Sequence, residues 1–562
     1  MAVALRSPDE VMKLTRMGAF HQTRLSFMRV LLREMSDSRW RVHQTLWDVD
    51  ASGVGTALYQ VDMPERTYTL VAFAHDLDPA MRSDRVIAEA WDATFTLYDG
   101  IPDAATVERL RAHVPLQEAG RISEQELTLA RANRSVRLFE HVVSSLAGGG
   151  QPDPLQLAET GYLMRTTAVY GSGKFGAVDR RFIRSRPELR RPFQAELLSV
   201  YLIRLFSFDI VNHLASMRAP DTAGKLASPL REQLGIGNST GLGMAPFIAN
   251  HPRLIDRWMT ARETALARVR SQPEVVLADV ERLTDYVQRL QHDAEHWHTG
   301  HVAQASKVET LKADLVALSD YLSNEFNPDG ASQPWDALYE WVRKRCSVEA
   351  QEALVSLLIE LYPELVDNLS HRMFIDEPAA VAIDAQMSTG RLRELIEQYY
   401  SFALETDFDD TAATARFWYA SEEKLEPRLG ERYDEAGAHL EHPLAIGRDI
   451  SRLYAMLDGH PPSTTLARLL DAHPELRHTV RRVQEAARYP YGEIRDNTIG
   501  ASVKPIDILR CKLSFLGATR FDPRSDRWVR ITMFQNAPLP DDASGLLDAP
   551  DDWVLPRARA AA

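Results

Sequence analysis

From Val276 to Leu322 apolar residues recur in alternating steps of four and three: Val276, Val280, Leu283, Val287, Leu290, Ala294 and Trp297, then Val308, Leu311, Leu315, Leu318 and Leu322, with His301 and Gln304 in the same frame. That is a heptad seam. It predicts one very long helix over 274–324, or a pair broken near Gly300, packed against another helix or against a second subunit as a homodimer. So much contiguous apolar surface is not left in water. Leu283, Leu290, Leu311 and Leu315 are therefore expected to be buried.

Around this seam the chain reads as mainly α. Residues 8–36 carry a cap at Ser7, a first-turn Pro8 and early acids, followed by apolar residues at helical spacing. Residues 39–75 are rich in β-branched and aromatic residues and are punctuated by Gly53, Gly55 and Pro64, so a small antiparallel sheet is expected. Residues 83–100 read as a helix capped by Ser83-Asp84 and stopped at Gly100. These segments make an α+β unit over 1–120. A helical domain over 121–330 and a second over 331–545 follow, with a loose acidic tail over 546–562. Residues 196–217 form a largely apolar run broken by Arg204, Asp209 and Asn212, which suits a central buried helix better than a membrane span. A further apolar helix is expected from Ser347 to about Leu369, and a short C-terminal strand at 526–535. No fixed-period repeat is present.

The 562 residues are 45% hydrophobic and 26% charged, ample for packed cores, and the formal charge of −14 argues against nucleic acid as a partner. The two cysteines, Cys346 and Cys511, make neither a metal spacing nor a disulfide framework. The first residues lack the apolar core of a signal peptide, and no run reaches the roughly 18 apolar residues of a span, so no membrane partner and a cytoplasmic location are expected.

Four irregular polar stretches interrupt the helical pattern: 171–181, 235–246, 418–432 and 488–511. The first, around Tyr170-Gly-Ser-Gly-Lys174, fails as a P-loop because Ala168 and Phe175 occupy the glycine and Ser/Thr places. What survives is exposed backbone N–H, Lys174, Arg180 and Arg181, a set suited to an anion. The second holds Gly235, Gly237, Gly241 and Gly243 around Asn238, Ser239 and Thr240, and reads as a ligand loop between helices. It lacks the spacing of a dinucleotide site. The third mixes Glu423 and Arg428 with Pro427 and Gly430. The fourth weaves Tyr491, Glu493, Arg495, Asp496, Asn497, Lys504, Asp507 and Arg510 into apolar sequence, and charge in such a setting needs partners or a ligand.

His292, Glu295, His296, His298 and His301 resemble a metal cluster in composition, but the heptad frame scatters them round one helix, and only His292 and His296 keep ligand spacing. No metal and no cofactor are expected, and the purified protein should be colourless. Cys511 reads as a small buried side chain.

These features point to an enzyme of lyase or hydrolase type, working by proton transfer on a small carboxylate- or phosphate-bearing metabolite. Lys174, Arg180, Arg181, Asn238, Ser239, Thr240, Arg428, Arg495, Asn497, Lys504 and Arg510 would bind it, while Tyr491, Glu493, Asp496 and Glu423 would move the proton. The four stretches are expected to meet at one pocket. Two alternatives stand beside this: a helical assembly protein using the heptad seam, and a helical haem or metal enzyme using His21 or the histidine cluster.

Overall fold

The computed structural model describes the chain except residues 1, 83–89, 117–120, 169–182, 184, 242–251, 296, 298, 300, 375–381, 410–445, 494–504, 524–527, 541–550, 552 and 555–562. Helix predominates, as the sequence suggests, but the sheet is not small. Nine strands form one mixed sheet in the order β1-β2-β3-β4-β5-β6-β7-β9-β8. They are β1 Arg41–Val49, β2 Gly55–Asp62, β3 Thr67–Ala74, β4 Ala93–Asp99, β5 Glu126–Arg134, β6 Tyr162–Thr166, β7 Gly235–Gly241, β8 Arg520–Pro523 and β9 Trp528–Met533. Every neighbouring pair is antiparallel except β6 and β7, which run parallel.

Two expectations change here. Residues 93–99 are a strand, not the end of a helix; Ala93-Thr-Phe-Thr-Leu-Tyr-Asp99 alternates side chains to both faces and pairs with β3 and β5. Residues 235–241, read as a helix-to-helix loop, are the central strand β7. Its glycines serve packing. A Cβ at Gly235 would lie 2.3 Å from the carbonyl oxygen of Met533, and one at Gly237 would lie 2.8 Å from the ring of Tyr162.

One face of the sheet packs Leu58, Val71, Phe73 and Leu129 against Val107 and Leu110 of α4 (Ala104–His113). The other face joins the main core under α7 (Gln194–Arg218). This is the one described helix long and apolar enough to cross a membrane, and 78% of its most apolar window is buried inside the fold. Its polar interruptions are satisfied from within. Arg204 donates to the carbonyls of Leu234 at 2.7 Å and Ala537 at 3.0 Å, Asp209 accepts from Tyr59 Oη at 2.6 Å, and Asn212 accepts from the amide of Leu226 at 2.9 Å.

The heptad seam folds as a pair, α9 (Leu277–Glu295) and α10 (Val302–Asn324), packed against each other. Leu283, Leu290, Leu311 and Leu315 are all buried within the chain. Both also touch α12 (Val348–Glu360), a helix with every residue from Glu349 to Glu360 buried.

The expected N-terminal helix over 8–36 is broken into α1 (Pro8–Val11), α2 (Leu14–Met17) and α3 (Phe27–Asp37). Ser7 caps the first as expected, its hydroxyl accepting from the amide of Glu10. Gly18, just past α2, packs closely on another helix: a Cβ there would sit 2.5 Å from Cβ of Asp507 in α16 (Pro505–Leu516).

Candidate functional site

The N-terminal segment threads between α12 and α16, and the polar centre of the molecule is built there. Glu349, Glu352, Ser356 and Glu360 of α12 follow one another at three- and four-residue steps, so they share one face. That face meets a series of cations. Glu352 accepts from Arg6 at 2.8 Å and Arg16 at 2.6 Å, and also from Arg262. Arg6 makes a second, two-pronged contact with Glu263 of α8 (Pro252–Arg270), both bonds 2.7 Å long. Burial alone would raise the Glu352 carboxyl, but Arg6, Arg262 and Arg16 outweigh it and hold the group far below the usual carboxylate range.

At one end of the face, Glu360 accepts from Arg29 at 2.7 Å, and Arg24 stands 3.6 Å away. Asp551 closes this end, accepting from Arg33 at 2.7 Å and lying 3.0 Å from Arg24. So the acidic tail touches the core at this point, and Trp553 beside it is buried. At the other end, Glu349 accepts from Arg510 at 3.3 Å, and Lys307 bridges Glu349 and Asp507 at 3.6 and 2.6 Å.

His21 sits in the middle of the face. Its carbonyl accepts from Ser356 of α12 at 3.0 Å and from Ser514 of α16. Its ring stacks on Trp297 with centroids 5.9 Å apart and planes 10° from parallel. Nε2 has no hydrogen-bond partner among the described residues. Burial, then the nearby charge of Arg510, lowers its pKa to about 3, so the imidazole is neutral.

The far side of α16 carries a different feature. Lys512 is fully buried, and its one partner among the described residues is the neutral amide oxygen of Asn238 on β7, at 3.2 Å. Asn238 is itself fixed by donating to the carbonyl of Thr166 on β6 at 2.9 Å. Burial lowers the ammonium to about 7. The position is set by topology. The parallel β6–β7 pairing ends at Thr166 opposite Asn238, and β7 runs on to Gly241, which pairs with Trp528 of β9. Helix α16 turns through Gly517 into β8, which runs in the same direction as β7, so its first residues lie toward those same strand ends.

Of the expected site residues, Asn238 and Arg510 both meet α16 and its partners, but on opposite sides of that helix. Asn238 meets Lys512 and Arg510 meets Glu349. Tyr491 donates its hydroxyl to the carbonyl of Arg6 at 2.7 Å, and burial, then Glu263, raises it to about 12. Glu493 lies in another network, accepting from Tyr400 at 2.7 Å and Arg482 at 3.0 Å. Tyr491 and Glu493 are therefore tied to structural partners. Asp507 and Arg510, expected to need either protein partners or a ligand, have the former in Lys307 and Glu349. Ser239 and Thr240 pair through the backbone with Arg530 and Val529. Lys174, Arg180, Arg181, Glu423, Arg428, Arg495, Asp496, Asn497 and Lys504 lie outside the described residues.

His292 and Glu295 are exposed on α9, His296 and His298 lie outside the described residues, and among the described residues no three His, Cys, Asp or Glu side chains group as a metal site. Cys511 is buried with its Sγ 3.1 Å from the carbonyl oxygen of Met17, and burial raises its thiol. The sequence reading missed the carboxylate face of α12 and Lys512. The signal was there: three glutamates at one-face spacing in an otherwise apolar helix, and a lone lysine in the apolar run Cys511-Lys-Leu-Ser-Phe-Leu516.

No protein-family model matches the chain, no curated protein matches it, and no solved structure matches it.

Proposed function

We propose that the protein is an enzyme acting on a small carboxylate- or phosphate-bearing metabolite by proton transfer, of lyase or hydrolase type, with Lys512 as the base. One observation carries this reading: among the described residues, a fully buried lysine has a neutral amide as its one partner, on the strand position opposite the last residue of β6. A lysine that exists largely as the free amine near neutral pH can take a proton from carbon or oxygen, and burial is the usual means of making one. Asn238 fixes the direction of Nζ, since Thr166 holds its amide in place. The cations expected to hold the anion, Lys174, Arg180, Arg181, Arg495 and Lys504, belong in sequence to the segments that follow β6 and precede α16, the helix that carries Lys512.

The test is a thermal-shift screen of phosphate esters and carboxylic acids at pH 8, followed by NMR assay of turnover for every hit, in the wild type and in Lys512→Met. A hit turned over by the wild type and slowed by about 100-fold or more in the variant supports the reading. Equal turnover in Lys512→Met, or no binding across the set, overturns it.

A further inference from the structure

The sheet carries a second polar feature on the face turned away from α16. Side chains alternate along a strand, and directly paired residues of neighbouring strands share a face. Asn238 points to Lys512, so Gly237 and its partner Thr532 point the other way, as do Arg530 on β9 and, through pairing with β9, Arg520 and Asp522 on β8. Thr532, Arg530, Arg520 and Asp522 line a cleft that opens to solvent, closed on its other side by the end of α6 (Pro154–Thr160) and by Tyr162. The glycine of β7 matters here. Gly237 has no side chain, and the ring of Tyr162 occupies the space a Cβ would take, 2.8 Å away.

We propose that this cleft binds the phosphate group of a small phosphate monoester. Three guanidinium groups line it, those of Arg137, Arg520 and Arg530. Arg530 is 7% exposed, Arg520 is tied to the carbonyl of Ala158 at 2.5 Å, and Arg137 stands exposed at the rim. Two of the three cations are thus held in place before any ligand arrives, which lowers the ordering cost of binding. Guanidinium is the side chain best shaped for the oxygens of phosphate, and the hydroxyls of Thr160 and Thr532 add donors beside it. Glu159 and Asp522 in the same lining accept hydrogen bonds, which suits the hydroxyl or amino groups of the ester's organic part and disfavours a second phosphate.

The site is distinct from Lys512, because the sheet separates them, and its test does not depend on catalysis. Inorganic phosphate, glycerol phosphate and citrate are titrated calorimetrically into the wild type and into Arg137→Ala, Arg520→Gln and Lys512→Met. Arg137 is exposed, so its variant keeps the fold, and circular dichroism verifies this. The expected result is saturable binding of glycerol phosphate, tighter than that of phosphate. Arg137→Ala and Arg520→Gln should each weaken it by about tenfold or more, and Lys512→Met should leave it unchanged. Absence of saturable binding overturns the proposal. Equal affinity in both arginine variants, citrate binding as tightly as the ester, or loss of binding in Lys512→Met alone would each do the same.

Discussion

Arg6 and Glu352 are 346 residues apart in the chain and 2.8 Å apart in the fold, with both side chains sealed from water. The contact belongs to a closed set in which Arg6, Arg16 and Arg262 face Glu263 and Glu352. Removing Glu352 leaves Arg6 and Arg262 to share Glu263, and Arg16 with Glu10 at 3.7 Å. Replacing one partner of such a pair costs about 3–5 kcal/mol. Glu352→Ala is therefore expected to lower unfolding stability by that order and to loosen the N-terminal segment, which Glu352 holds through two arginines. Denaturant titration measures the first and limited proteolysis near Arg6 the second. A variant as stable as the wild type would mean that water enters the network.

His21 gives the fold an acid limit well above the carboxylate range. Its imidazole is kept neutral down to about pH 3 by burial and by Arg510 and Arg262, against the opposing pull of Glu352. The unfolded chain protonates the same residue near its ordinary value of 6.5. Below that value the unfolded state binds the extra proton, so stability falls as pH falls, by about 1.4 kcal/mol per unit. His21→Phe keeps a ring against Trp297 and removes the proton site. Denaturation of both proteins at pH 6.5 and 5 should show a steeper loss in the wild type. Parallel losses would place the acid sensitivity elsewhere.

What the sequence made legible follows from where its signals are local. The paired helices α9 and α10, the buried helix α7 and the strands β2, β3 and β9 carry their own periodicity, and periodicity depends only on neighbours in the chain. Strand β7 does not. Gly235-Ile-Gly-Asn-Ser-Thr-Gly241 has no strand pattern of its own; β6 and β9 impose the conformation from both sides, and the glycines answer to Met533 and Tyr162. Gly18, after Met17, likewise answers to a distant residue, Asp507. The candidate site was half legible. Asn238 and Arg510 were singled out for hydrogen-bonding chemistry in unusual settings; Asn238 meets Lys512, and Arg510 lies on the same helix as Lys512 but faces Glu349. Lys512 itself is one charge in an apolar run, and nothing local distinguishes a buried lysine from one that reaches solvent.

Asp551 fastens the C-terminal segment to the N-terminal one. Arg33, Arg24 and Arg29 surround it at 2.7, 3.0 and 3.3 Å. Burial works to raise its carboxyl, but the three guanidinium groups bring it down to about 2. The stability it contributes is present above its ordinary pKa of 3.8 and is lost as pH falls toward 2. Asp551→Asn keeps the shape and removes the charge, leaving three arginines to share Glu360 and Asp367. A loss of about 3 kcal/mol at pH 7 is expected, shrinking as acid titrates the wild type. Equal stability at pH 7 would show that the tail rests on Trp553 instead.

Lys512 should make the protein less stable than it could be. Its ammonium ionises at about 7 in the fold and at 10.5 in a free chain. Below pH 7 both states carry the proton, and the folded state bears the full cost of a buried charge beside a neutral amide. Between 7 and 10.5 the folded amine is neutral while the unfolded chain stays charged, so stability rises with pH by about 1.4 kcal/mol per unit. Lys512→Met, close in shape and without charge, is expected to be more stable than the wild type at pH 6, with the difference fading as pH approaches 10. Such a cost is what the proposed role as a base requires, because the free amine that role needs is a product of the same burial. Denaturation curves of the two proteins at pH 6, 8 and 10 measure the effect. A methionine variant less stable than the wild type at pH 6 would mean that Lys512 has a counter-charge within the fold, and the proton-transfer role would fall with it.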